Sequence, residues 1–183
     1  MIVSASYRTD IPAFFAEWFD ARLADGVCEV RNPYGGRPYR VDLTPAAIDG
    51  FVFWTRNAAP FAAQFRRVAA LEIPFVVQFT VTGYPRALDA HTLRADETVD
   101  QIRGLAEVYG SRAVVWRYDP VLVTSLTPLD WHLANFRSLA ERLAGATDEC
   151  VVSFAHIYRK TERRLRRAAA DHGFAWTDPA DAE

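Results

Sequence analysis

Short apolar runs alternate along the chain with amphipathic stretches, and most apolar runs stop in a cluster of polar and ionisable residues. Runs of β-branched and aromatic residues bounded by turn formers read as strands, and apolar residues recurring every three or four positions read as helices. On these rules residues 3–6, 27–30, 51–54, 75–82, 113–116 and 151–154 are strands. Residues 39–43 alternate like a strand that returns beside 27–30 after the turn at Tyr34-Gly35-Gly36-Arg37-Pro38. Asp10 is the expected N-cap, with Pro12 in the first turn, of a helix carrying Phe14, Phe15, Trp18, Phe19 and Leu23 and ended by Asp25-Gly26. Thr44 and Pro45 start a short helix, 61–71 forms the next, and Asp96 caps one reaching Tyr109. Beyond Thr127-Pro128 a helix presents Trp131, Leu133, Phe136, Leu139 and Leu143, and residues 160–171 form the last one before Gly173. Phe174-Ala175-Trp176 begins a further strand, followed by an acidic tail.

Strands separated by amphipathic helices imply parallel pairing with right-handed crossovers. About six such units of about 30 residues each predict an α/β fold, a partial or closed (βα) TIM-like barrel of about six parallel strands. A flat doubly wound sheet fits less well, because no glycine-rich phosphate loop follows the first strand. The length of 183 residues suits a single barrel-like domain spanning the whole chain.

Composition changes the picture in three places. Half of the residues are hydrophobic and 13% aromatic, which predicts a packed globule. A formal charge of -2 and a pI near 6.1 argue against a generally basic nucleic-acid binder. Cys28 and Cys150 lie far apart in apolar runs and are expected to be buried and reduced, too few for a zinc or iron–sulfur site. No membrane span or basic signal-peptide head is evident, so a cytoplasmic location is expected.

Candidate chemistry gathers where strands end. Val114-Val115-Trp116-Arg117-Tyr118-Asp119-Pro120 starts as a buried strand and finishes in a cation, a phenol and a carboxylate. Ligands of parallel sheets collect outside the carboxyl ends of the strands. One rim would then collect Arg8, Asp10, Arg31, Asn32, Thr55, Arg56, Asn57, Gln78, Thr82, Arg117, Tyr118, Asp119 and Ser153, with Tyr84 offering a second phenol. Clustered guanidinium groups favour an anionic ligand. Arg117 and Asp119, two apart on a strand, can share a face, so Asp119 could orient Arg117 or act as a general base; a structural salt bridge is the competing account. Asp119, Arg117 and Asp10 are the candidate catalytic residues, and the other rim residues candidates for substrate binding. Trp54 and Trp116 are expected in the core. His91, His132, His156 and His172 show no metal-binding spacing, and His156 is the one expected near the rim. No Gly-x-Ser-x-Gly elbow occurs. The basic run 159–167 reads as a solvated helix face.

The motifs Arg8-Thr9-Asp10-Ile11-Pro12, Arg31-Asn32-Pro33, Phe53-Trp54-Thr55-Arg56-Asn57, Gln78-Phe79-Thr80-Val81-Thr82-Gly83-Tyr84, Trp116-Arg117-Tyr118-Asp119-Pro120 and Val152-Ser153-Phe154 occur in this order. The set resembles the bacterial family known as domain of unknown function 1848, with the similarity running from residue 1 to about 160. Members typically continue into a carboxyl-terminal cysteine cluster likened to the iron–sulfur motif of radical S-adenosylmethionine enzymes. The resemblance implies a radical-enzyme-like barrel in which Arg8, Asp10, Asn32, Arg56, Asn57, Arg117 and Asp119 hold substrate or cofactor. This sequence has no cysteine-rich tail, so it reads either as a truncated member or as a short variant that has lost the cluster. No cofactor is expected in this chain; a [4Fe-4S] cluster and S-adenosylmethionine would belong to a longer form. The expected function is an enzyme barrel taking an anionic small molecule at an arginine-lined mouth. The alternatives are a non-catalytic module for a phosphorylated metabolite and, less favoured, a nucleic-acid contact through the last helix. No membrane partner is expected, and the oligomeric state is left open.

Overall fold

The computed structural model describes residues 1–5, 8–31 and 35–177. Its strands are β1 (Ile2–Ser4), β2 (Val27–Val30), β3 (Tyr39–Asp42), β4 (Gly50–Thr55), β5 (Phe75–Thr80), β6 (Val114–Val121) and β7 (Cys150–Phe154). Its α-helices are α1 (Ile11–Phe14), α2 (Ala16–Asp25), α3 (Ala62–Ala70), α4 (Ala95–Tyr109), α5 (Leu129–Leu143) and α6 (Arg159–His172). Five strands form a parallel sheet in the order β1-β4-β5-β6-β7, and β2 and β3 form a separate two-stranded sheet. The fold is therefore α/β with a parallel sheet, but the sheet is open, and five strands stand where about six were expected. The strand at 27–30 leaves the parallel set because the chain turns straight back: Gly35 and Gly36 take φ of +101° and +105°, and β3 pairs antiparallel with β2 before any crossover helix intervenes. Residues 174–176 form no strand of their own: Trp176 makes an isolated bridge to Thr124, and the Ala175 carbonyl accepts the Ser125 N–H at 2.8 Å.

Contacts sort the chain into two compact units, Met1–Gln78 and Phe79–Glu183. In the first, β4 alternates: Phe51, Phe53 and Thr55 are buried while Val52 and Trp54 are half-buried. Phe51 and Phe53 meet Phe19 of α2 edge-on at 5.5 and 5.6 Å, and Phe53 also meets Phe61 and Phe65 at 5.2 and 5.4 Å. This aromatic cluster is the core of the unit. The single helix expected after the Asp10 cap is broken at Phe15, whose φ of -135° is not helical; Phe14, Phe15 and Trp18 are exposed while Phe19 and Leu23 are buried. Gly26 ends α2 in the left-handed conformation. Thr44 stands at the N-cap of the short turn 45–47, as expected, but its side chain makes no capping bond there. Instead its N–H and hydroxyl bond Asp42 at 2.9 and 2.8 Å, which holds the Asp42 carboxyl below its usual range.

In the second unit β6 runs on to Val121 rather than stopping at Trp116, because Tyr118 and Val121 keep packing inward. The helix expected to be capped at Asp96 has its N-cap two residues earlier, at Arg94: Glu97 accepts the Arg94 N–H at 2.9 Å, and Asp96 pairs with Arg142 of α5 at 2.7 Å. The face α5 buries is His132, Leu139 and Leu143, with Leu133 exposed. Val99 and Ile102 of α4 and Val114 and Trp116 of β6 are buried in this unit. In α6 only Leu165 is buried, and Arg166 and Arg167 pair along the helix with Glu162 and Asp171, as a solvated face should. Cys28 is half-buried and Cys150 exposed, so neither is the fully buried thiol expected; β7 presents most of its residues to solvent. Among the described residues no helix is long and apolar enough to cross a membrane.

Candidate functional site

Each unit organises its own polar groups. In the first, Asp10 closes the turn after β1: Oδ1 accepts the Ala13 N–H at 2.9 Å, capping α1, and Oδ2 accepts the Arg56 N–H at 2.9 Å. Thr55, buried at the end of β4, accepts the Asn57 N–H at 2.9 Å, and Asn57 accepts the Ala59 N–H at 3.3 Å. Asp10, Thr55, Arg56 and Asn57 are thus one hydrogen-bonded corner tying the start of α1 to the end of β4. Arg8 donates to the Arg31 carbonyl at 2.9 Å, and Arg31 pairs with Glu29 at 3.1 Å. Arg31 follows a strand of the β2–β3 hairpin, not one of the parallel sheet, so its place on a common rim does not hold. Gln78 is half-buried on β5, and Asn32 lies outside the described residues.

Both oxygens of Asp10 are engaged by backbone donors, so the carboxylate holds the chain at this corner. Asp10→Ala is expected to cost about 2 kcal/mol in urea-denaturation free energy, and Asp10→Asn less, since its side chain keeps one acceptor. Equal losses for the two variants would show that the acceptor retained by asparagine contributes nothing.

In the second unit Arg117 and Asp119 share a face of β6, as their spacing predicts, and pair through the Arg117 Nε at 3.1 Å and the adjacent guanidinium nitrogen. The other Asp119 oxygen accepts the Ser153 hydroxyl of β7. The Arg117 and Asp119 side chains are 16% and 21% exposed, open enough for a ligand to reach and dry enough to strengthen the pairing. Parallel β6–β7 pairing places Arg117 beside Val151, with a register shift between Tyr118 and Val121, and the Asp119–Pro120 peptide is cis.

Tyr118 and Thr82, expected on the rim, are buried beneath it at 1% and 4% exposure. Asn135 of α5 donates to the Thr82 carbonyl at 2.8 Å and to the Tyr118 oxygen at 2.9 Å. The Tyr118 hydroxyl must then donate to His132 Nδ1, 2.9 Å away, so His132 carries its proton on Nε2 and gives it to the Leu122 carbonyl at 3.0 Å. Burial pushes the Tyr118 phenol up, against the lowering bond from Asn135, and keeps it a donor. Gly83 is required beside this network: its φ is +64°, and a Cβ there would stand 3.1 Å from Asn135 Oδ1. Tyr84 clamps the exit of β6, donating to the Pro120 carbonyl at 2.7 Å and accepting the Leu122 N–H at 2.7 Å, with its ring stacked on Trp131. Sequence reasoning favoured His156 and missed His132 and Asn135. The readable signal was their i, i+3 spacing, in line with Phe136, Leu139 and Leu143 on one helix face.

Among the described residues no group of three or more His, Cys, Asp or Glu is arranged to hold a metal ion. A [4Fe-4S] centre draws on three or more cysteine thiolates, and the sequence has two cysteines, one in each unit. Partial desolvation pushes both thiols up, away from the thiolate form a cluster needs. These residues do not fit a cluster, and no chemical step is assigned to one.

Parallel strands followed by polar and ionisable residues, with a buried polar network beneath β6, define an α/β protein. The chain belongs to the family described as Domain of unknown function (DUF1848), whose model matches residues 2–183, past the limit of about 160 read from the motifs. No curated protein and no solved structure matches it.

Proposed function

We propose that the protein is an enzyme module of (βα)-barrel kind, related to radical S-adenosylmethionine proteins, that takes an anionic small molecule at the ends of β6 and β7. The observation that carries this reading is the Arg117–Asp119–Ser153 constellation on adjacent parallel strands. Asp119 fixes Arg117 in advance, and a guanidinium already oriented loses less rotamer freedom on meeting a phosphate or carboxylate. Arg117 is the substrate-binding cation, Asp119 its positioning carboxylate, and Ser153 a hydroxyl held within the same hydrogen-bonded set. The radical chemistry of the proposed relatives is not routed through these residues, since the thiol set is too small for it.

Thermal melts in the presence of inorganic phosphate, adenosine phosphates and small carboxylates test the reading. At about 100 times its Kd a ligand stabilises by about 2.7 kcal/mol, a rise of several degrees in Tm. Arg117→Ala, compared with its own ligand-free melt, is expected to lose that rise. An undiminished rise in the variant, or none in the parent with any of these anions, overturns the proposal. A second reading, a binding module without chemistry, is favoured by one observation: both Asp119 oxygens already accept hydrogen bonds, as suits a positioning group. Ligand binding without turnover of any phosphate ester distinguishes it.

A further inference from the structure

The first unit contains a cleft of about 720 Å³ that plays no part in the strand-end site. Every residue from 1 to 5 lines it, and so does every residue from 28 to 31. Successive side chains of a strand point to opposite faces, so a cleft touched by each residue in turn runs along a strand's edge, not over its face. Among the described residues β1 is the last strand of its sheet, and β2 pairs only with β3. The Ala5 N–H bonds the Val52 carbonyl at 2.9 Å, which fixes the phase of the parallel ladder: odd residues of β1 face β4, and Ile2 and Ser4 turn their N–H and C=O groups the other way. Such an edge is a template for a further strand.

The walls state what that strand carries. Arg8, Arg22 and Arg31 line the cleft against a single carboxylate, Glu29. Arg22 Nε is buried with no hydrogen-bond partner among the described residues, although the same guanidinium holds Asp25 at 2.9 Å. Half-exposed Phe15 and Trp18, with Val41 and Leu43, supply the apolar wall. We infer that the cleft is a peptide site: an extended acidic polypeptide segment of a partner adds as a strand to β1, alternating apolar side chains with carboxylates that meet the arginines. A fatty carboxylate would satisfy the arginines and the apolar wall but would leave the backbone groups of Ile2 and Ser4 unpaired, which is why a polypeptide is favoured.

The probe is a fluorescein-labelled octapeptide alternating valine and glutamate, followed by anisotropy against the whole chain. Two N-methylated versions, blocking alternate amides in opposite phase, accompany it. Binding is expected to weaken at least about tenfold in one phase and to persist in the other, because only one set of amides meets β1. Ser4→Pro, which removes an outward N–H that β4 does not use, is expected to weaken binding about as much, and Ser4→Ala to leave it nearly unchanged. Hydrogen exchange at Ile2 and Ser4 is expected to slow on binding. Absence of peptide binding, equal binding by both methylated phases, or dodecanoate binding that displaces the peptide and ignores Ser4→Pro would overturn the inference. The methylated peptides on the unaltered protein keep the test decisive even where Ser4→Pro does not fold.

Discussion

Phe53→Ala is expected to remove about 3–5 kcal/mol from the stability of the first unit, lowering its urea midpoint far more than any surface change. Phe53 is 0% exposed, and its ring lies 5.2 to 5.9 Å from those of Phe19, Phe51, Phe61, Phe65 and Phe75. Truncation forfeits the transfer of a whole aromatic side chain and leaves a cavity among rings that are themselves close-packed. Phe53→Leu, which keeps most of the volume, is expected to cost less than half as much. A loss below about 1 kcal/mol for the alanine variant would mean that the surrounding rings collapse into the space, and the cluster would then not be the rigid centre assigned to it here.

His132→Leu is expected to cost about 2–3 kcal/mol, because it strands the Tyr118 hydroxyl proton inside the second unit and takes one of two donors from the Leu122 carbonyl. The Leu122 carbonyl keeps the Thr127 hydroxyl at 2.9 Å, so the larger part of the cost falls on Tyr118. Tyr118→Phe alone leaves His132 Nδ1 and one Asn135 donor unpaired and is expected to cost a similar amount. The double variant removes both ends of the shared bond. Its cost is therefore expected to fall short of the sum of the singles by at least about 1 kcal/mol. Additive losses in denaturant unfolding would show that the two side chains act independently. Near-ultraviolet circular dichroism gives a second readout, since Tyr84, Trp131 and Phe136 pack around the same pair.

How far the site could be read from the chain follows from where its groups sit relative to one strand. Arg117 and Asp119 were legible because a period of two puts them on one face whatever the rest of the fold does. The same period placed Tyr118 on the opposite face, yet a rim was the natural reading, since the run of apolar residues appeared to stop at Trp116. The strand instead continues, and the phenol is buried on groups brought by α5, which lies after it in the chain. Asp10 was legible as a cap, but its second partner, the Arg56 N–H, is 46 residues away and no local pattern announces it.

Local order along the sequence determined the strands and helices, the cap at Asp10, the left-handed end of α2 at Gly26 and the shared face of Arg117 and Asp119. Each of these depends on neighbours within a few residues, and their side-chain chemistry is written in the chain. Tertiary structure alone decided that Ser153 meets Asp119 and that Asp10 accepts the Arg56 N–H. Those outcomes depend on which distant surface arrives to bury a face or accept a proton, a choice settled by packing and hydrogen-bond satisfaction across the fold rather than by any stretch of sequence.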